Sequence, residues 1–238
     1  MNGVVARLTF RGVLGRRRLL VLALLALPLL ALAVLLRLFG PAGATWPITV
    51  LKLYGLGTLL PLVALIAGTG VLSPEIDDGT IVYLLSKPVD RPAIVHTKLA
   101  VAVALTVVGS AVPALAAALI LVGLDGGVAA GIVATAVLAG IAYCAIFVLV
   151  AILTRHAVII GLGYALIWES VIGQYVPGAR MLSVQQWALS AGGALSSRPE
   201  LHGDVAPALA LLLLAALTVA ATAAAGQRLR SFSLTGES

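Results

Sequence analysis

The feature that most constrains the fold is a series of long apolar runs separated by short polar breaks. A helix that crosses a lipid bilayer needs about 20 consecutive, mostly apolar residues. Six such runs occur in the sequence, and they leave little of the chain for anything else. We therefore predict an all-α integral membrane protein with six transmembrane helices in one domain, residues 1–238. The predicted spans are residues 19–39, 48–72, 93–122, 128–153, 157–175 and 205–225.

The composition agrees with this fold class and excludes several functions. The chain is 61% hydrophobic and 10% charged, which is far from the mixture found in soluble proteins. Its net charge of +6 comes without a basic patch interleaved with aromatic residues, so no nucleic-acid partner is expected. Cys144 is the only cysteine, which excludes an intramolecular disulfide, and three scattered histidines have no metal-ligand spacing.

The basic residues predict how the chain lies in the membrane. In the six-span arrangement, eleven of the fifteen Lys and Arg residues fall on the side that carries both termini. Short loops rich in Lys and Arg stay in the cytoplasm, so both termini are predicted to be cytoplasmic. Arg7, Arg11 and Arg18 would share one face of an amino-terminal amphipathic helix at the cytoplasmic interface. The alternative interpretation is that this segment is only a basic stretch that precedes the first span.

One polar island, residues 73–87, lies between the second and third spans. Ser73 is suited to cap a helix, and the acidic residues Glu75 and Asp78 follow in the first turn, where the helix dipole favours negative charge. Pro88 then prevents the helix from continuing. The segment is too short and too charged to cross a bilayer, so it is predicted to lie at the cytoplasmic surface and to offer its side chains to a partner.

An ordered set of residues in and after this island resembles the cytoplasmic loop of ABC-2-type ABC transporter permeases. The matching residues are Glu75, Gly79, Thr80, Leu84, Leu85, Pro88, Arg91 and Lys98. The six-span layout extends the resemblance over nearly the whole chain, as a single ABC-2-type transmembrane domain. The stretch WESVIGQYVPGARMLSVQQWAL is similar to the family's broken fifth span and its re-entrant or interfacial outer helices. Gln185 of that stretch is expected on the outer face.

The resemblance implies partners and a mechanism. In that family two permeases pair, as a homodimer or with a paralogue, and each docks an ABC ATPase through the cytoplasmic helix. The residues expected to couple the ATPase are Glu75, Asp78, Gly79, Thr80, Tyr83, Leu84 and Leu85. The chain has no G-x-x-x-x-G-K-[ST] motif, so we expect no enzymatic activity in this chain and no cofactor bound to it. ATP and Mg would be held by two copies of the partner ATPase.

The implied function is therefore that of a multi-pass permease subunit in the bacterial inner membrane. It would belong to an exporter, and its apolar walls favour a hydrophobic or amphipathic substrate.

Glu169 and its neighbour Trp168 are candidates for a substrate path or gate. An acidic residue inside an apolar run is a functional candidate by default, because burying its charge in the membrane is costly. A purely structural hydrogen bond is the alternative interpretation. Ser170 and Gln174 could share the same polar network.

Two other classes of protein fit the sequence less well. A membrane-embedded lipid transferase could hold Mg²⁺ with Glu75 and Asp78, but it would need a second acidic cluster, which the sequence does not contain. A secondary transporter or channel would be expected to carry charged residues deep in several spans. Only Glu169 comes close to that pattern.

Overall fold

The computed structural model describes residues 16–40, 46–71, 91–173, 176 and 178–231, and all regular structure in these ranges is helical. These ranges contain seven helices: α1 (Arg16–Phe39), α2 (Trp46–Gly70), α3 (91–121), α4 (Val128–Leu153), α5 (Ala157–Ile172), α6 (Val184–Gly193) and α7 (Pro207–Ser231). Three of them contain wider π-helical segments, at Leu51–Leu59, Val107–Ala111 and Tyr164–Ile172. Short 3₁₀ turns occur at Asp125–Gly127, Ala179–Leu182 and Pro199–Leu201.

Five of these helices, α1, α2, α3, α4 and α7, are long and apolar enough to cross a membrane. The fifth apolar run of the sequence forms α5, a shorter apolar helix. The helix α4 has the bounds expected from its apolar run, while α2 begins and ends two residues before the range 48–72. The all-α fold and the membrane-spanning character of its helices are thus confirmed for the described residues, whereas the number of six spans stays a prediction.

Two predicted segments lie outside the described residues. One is the amino-terminal amphipathic helix, of which Arg7 and Arg11 are not described and Arg18 belongs to α1. The other is the polar helix at residues 73–87 with all its proposed coupling residues.

Helix α4 is the centre of the bundle, because other helices cover it on nearly every side. Its most extensive contacts are with α6, α2 and α7. Small residues such as Gly131, Ala136 and Ala139 allow this close packing, as is common between helices in lipid. In contrast, much of α1 and α7 is exposed and apolar, as expected for helices at the edge of a bundle in a membrane.

Helix α6 is short and lies inside the bundle, antiparallel to α4. A Cβ atom at Gly192 would overlap the backbone nitrogen of Thr135, so the two helices touch there backbone to backbone. Gln185, which was expected on the outer face, is not exposed: its side chain is buried, and its Nε2 donates to the backbone oxygen of Lys52 at 3.0 Å. A backbone carbonyl inside the bundle takes the place of water as its partner.

The two ends of the bundle are distinct, and we name each after one residue. At the Gly126 end, the backbone N–H of Ser197 donates to the Gly126 oxygen at 2.9 Å, and Lys52 Nζ donates to the Glu200 backbone oxygen at 2.8 Å. These bonds join the α3–α4 turn and α2 to the segment between α6 and α7. The Lys98 end is the opposite one, where α2 ends and α3 begins.

Candidate functional site

Glu169 lies in the π-helical part of α5 and is fully buried. Its carboxylate accepts two side-chain hydrogen bonds, from the Tyr164 hydroxyl to Oε1 at 2.9 Å and from the Ser183 hydroxyl to Oε2 at 2.6 Å. It also accepts two backbone bonds, from the N–H of Val184 to Oε1 at 3.0 Å and from the N–H of Gln185 to Oε2 at 3.4 Å. These four donors suit an ionised carboxylate, which can only accept hydrogen bonds.

These bonds make Glu169 a cap for the buried helix α6. The first N–H groups of any helix lack partners within that helix, and a buried helix start must find them elsewhere. Glu169 takes the first two, and the Ser183 hydroxyl accepts the third from Gln186 at 3.3 Å. The negative charge also lies at the positive end of the helix dipole, which stabilises it. Glu169 therefore fixes α6 to α5.

An aromatic cluster of Tyr143, Phe147 and Tyr164 lies beside the carboxylate and joins α4 to α5. The ring centroids of Tyr143 and Phe147 are 6.1 Å apart and stacked, and Tyr164 meets both rings edge to face at 6.5 and 6.2 Å. Tyr143 is fully buried and within electrostatic reach of Glu169. Its hydroxyl lies near the Glu169 carboxylate, although no well-aligned hydrogen bond joins the two among the described residues.

The site lies deep in the bundle. Tyr143 is 15 residues beyond Val128, the first residue of α4, which places it about 22 Å along a 26-residue helix at 1.5 Å per residue. The start of α6 is at the same level, because Gly192 meets Thr135 and the two helices are antiparallel: Val184 lies eight residues before Gly192, and Tyr143 lies eight residues after Thr135. Helix α6 therefore begins near the middle of α4 and runs back towards the Gly126 end.

Further bonds connect this site to α2. The Ser170 hydroxyl lies 3.0 Å from two backbone oxygens, that of Gly57 in α2 and that of Ala165 in its own helix, so its one proton is shared between a bond to α2 and a bond within α5. The Gln185 bond to the Lys52 oxygen joins α6 to α2 near the Gly126 end. A displacement of α2 or α5 would therefore act directly on the start of α6.

The structure brings together only part of the predicted site. Glu169 is at its centre and Ser170 lies beside it, whereas Trp168 is half-buried and its indole forms no hydrogen bond with the described residues. Gln174 lies outside the described residues. Sequence reasoning missed Tyr143, Tyr164 and Ser183. The one local signal in the sequence was Ser183, because serine is a preferred residue just before the start of a helix, here α6.

Lys98 forms a second buried polar contact, at the other end of the bundle. Its side chain is fully buried, and Nζ donates to the backbone oxygen of Val71 at 2.6 Å. Val71 caps the carboxyl-terminal end of α2, where carbonyl groups lack helical partners and the dipole favours a cation. The bond joins α2 to α3 close to both ends of the polar segment that connects them.

Comparison with known proteins identifies one relationship. Residues 55–186, more than half of the chain, match the family described as ABC-2 family transporter protein. The matched range includes Tyr143, Tyr164, Glu169 and Ser183, and it also contains the polar segment between α2 and α3. Among the curated proteins, none matches the chain.

Proposed function

Because the chain belongs to the ABC-2 family of transporter proteins, we propose that it is the permease subunit of an ATP-driven exporter. The family match carries this proposal. The five long apolar helices support it, since a permease must line a path through the bilayer.

The energy source would be a separate ABC ATPase, because the sequence has no P-loop motif. Family membership implies such a partner. We propose two ATPase copies bound to two permease subunits, either identical or paralogous, with ATP and Mg held by the ATPase alone. The cargo would be hydrophobic or amphipathic, in keeping with the apolar helices.

In this proposal α5 is the fifth of six spans, and the protein resides in the bacterial inner membrane. The Lys98 end faces the cytoplasm with both termini, as the distribution of Lys and Arg favours. The Gly126 end faces outwards. Helix α6 would then be a re-entrant helix that starts near mid-membrane. Its first backbone N–H groups are compatible with that depth because Glu169 and Ser183 accept their hydrogen bonds.

Coupling would pass through the polar helix at residues 73–87. Glu75, Asp78 and Gly79 are the residues that we expect to meet the ATPase. The buried Lys98–Val71 bond supports this route, because it joins the ends of α2 and α3 that flank the helix. A force on the helix would therefore move both spans together.

Glu169 would connect the movement of the spans to the substrate path that opens to the outside. It fixes α6 to α5, and Ser170 and Gln185 bond to α2. We propose that movement of α2 and α5 displaces α6 and opens the substrate path. The half-buried Trp168 would lie beside that path.

The proposal is tested by separating the permease from its ATPase. The chain purified alone should hydrolyse no ATP above background, and it should co-purify in detergent with the ATPase with which it is co-expressed. Robust ATP hydrolysis by the chain alone would contradict a separate ATPase. Substrate uptake driven by a proton or sodium gradient without any ATPase would support a secondary transporter.

The topology gives a second prediction. With Cys144 replaced by Ala, a cysteine at Ser197, which is exposed at the Gly126 end, should react with a membrane-impermeant thiol reagent in intact cells. A cysteine at Ser86 should be protected until the cells are opened. The reverse pattern of labelling would exclude six spans with both termini inside.

A further inference from the structure

A groove of about 510 Å³ lies on the surface of the bundle at the Lys98 end, between the first turns of α3 and the last turns of α7. Val95, His96 and Leu99 line the groove on the side of α3, and residues between Thr218 and Gln227 line it on the side of α7. The residues that line this α3–α7 groove are different from those that surround Glu169. The groove is therefore separate from the site described above.

The interior of the groove suits a hydrocarbon chain. Its inner polar residues are Thr218 and Thr222, but their hydroxyls already donate to backbone oxygens of α7, both at 2.7 Å. Gln227 comes nine residues after Thr218, so the groove extends for about 14 Å along α7 at 1.5 Å per residue. Half of the hydrocarbon thickness of a bilayer is about 15 Å. One acyl chain of a single leaflet would therefore fill the length of the groove.

The mouth of the groove suits a phosphate group. His96 and Gln227 are exposed there, and their side chains carry N–H groups that can donate to phosphate oxygens. The exposed Arg228 follows directly after Gln227, and the buried Lys98 belongs to the same turns of α3 as His96. Neither α3 nor α7 contains an aspartate or a glutamate. The positive charge at the mouth therefore favours an anionic headgroup over a zwitterionic one.

We propose that the α3–α7 groove binds one anionic phospholipid from the leaflet at the Lys98 end. An acyl chain lies between the two helices, and the phosphate lies at His96 and Gln227. In the orientation proposed above, this leaflet is the cytoplasmic one. The lipid fills the gap between the start of α3 and the end of α7, and its binding does not depend on an ATPase or on transport.

The test measures lipid binding to the purified chain in detergent. Native mass spectrometry gives the affinity for added phosphatidylglycerol, which is anionic, and for phosphatidylcholine, which is zwitterionic. We expect phosphatidylglycerol to bind about fivefold more tightly, which is the effect of one basic residue near a headgroup. Arg228→Gln should remove most of this preference. Arg155→Gln, which changes an exposed arginine at the same end but outside the groove, should leave the preference unchanged.

A second pair of variants locates the binding site. An added Cβ atom at Gly226 would meet no atom within 4 Å, so the side chain of leucine would extend into the groove. Gly226→Leu should weaken the binding of both lipids by about tenfold, the effect of displacing about two methylene groups. Its melting temperature without added lipid should not fall, because leucine favours a helix more than glycine does. Gly163→Leu is the matched control in α5, where the space around the added side chain is equally open, and it should leave lipid binding unchanged.

Equal affinity of the parent chain for the two lipids would overturn the inference, because the lipid would then bind without recognition of its headgroup. Unchanged lipid binding by Gly226→Leu, or an equal loss in Gly163→Leu, would also overturn it. Loss of a dimer in Gly226→Leu with unchanged lipid binding would assign the groove to a second copy of the chain instead. If Gly226→Leu does not fold, the comparison of Arg228→Gln with Arg155→Gln decides. Each of these results leaves ATPase co-purification, and with it the proposed permease function, untouched.

Discussion

Glu169→Leu should destabilise the protein more than any other single substitution at the site. Leucine is of similar size but leaves the Tyr164 and Ser183 hydroxyls and two backbone N–H groups without their acceptor. Each buried donor left unsatisfied costs about 1–3 kcal/mol, so a total loss of about 3 kcal/mol is a conservative expectation. For a chain of this length, that lowers the melting temperature by about 6–12 °C. The measurement is thermal unfolding in detergent.

Two further variants make this result specific. Glu169→Gln keeps one acceptor oxygen, so its loss of stability should be smaller than that of Glu169→Leu. Glu200→Leu is the matched control, because Glu200 is exposed and only its backbone oxygen accepts a bond from Lys52. If Glu169→Leu unfolds at the same temperature as Glu200→Leu, the carboxylate does not hold α6 in place.

Glu75→Arg should uncouple the permease from its ATPase while leaving it folded. In the first turn of the predicted helix, the charge reversal costs only about 0.3–1 kcal/mol through the helix dipole. Loss of a buried charge pair across an interface costs about 2–5 kcal/mol, enough to weaken docking by tenfold or far more. We therefore expect normal expression in the membrane, weak co-purification of the ATPase and no substrate-stimulated ATP hydrolysis.

Gly79→Leu should have the same effect for a steric reason, since a larger side chain would hold the two surfaces apart. Glu200→Arg is the matched control at the opposite end of the bundle, and it should leave docking intact. Normal docking and transport by both Glu75→Arg and Gly79→Leu would show that residues 73–87 are only a surface loop.

The helices could be predicted because the length of an apolar run can be read from the local sequence alone. The range of α4 follows from a single apolar run that begins after the Gly126–Gly127 turn, where both glycines have a positive φ. A Cβ atom at Gly127 would also meet the Leu195 backbone oxygen, so glycine is required there for space as well. The family could be recognised because the residues that resemble it follow one another in one short segment of the sequence.

The partners of Glu169 could not be predicted in the same way. The sequence marks Glu169 as an acid within an apolar run, but Ser183 and Val184 come 14 and 15 residues later and meet it only through the fold. Tyr143 lies in an apolar run in which the only other polar residues are Thr135 and Cys144. The burial of Gln185 was missed because a polar side chain indicates exposure unless a buried acceptor, here the Lys52 oxygen, is known.

The most direct test of the account is whether ATP moves the buried helix. Ala188, in the middle of α6, is fully buried, so a cysteine there should react with N-ethylmaleimide only when α6 is displaced. The Ala188→Cys permease, with Cys144→Ala, is assembled with its ATPase in phospholipid vesicles and labelled with N-ethylmaleimide. ATP with Mg should accelerate labelling in the parent complex and should have no effect when the permease carries Glu75→Arg. A parent complex that hydrolyses ATP but labels at the same rate with and without ATP would contradict the coupling of the ATPase to α6.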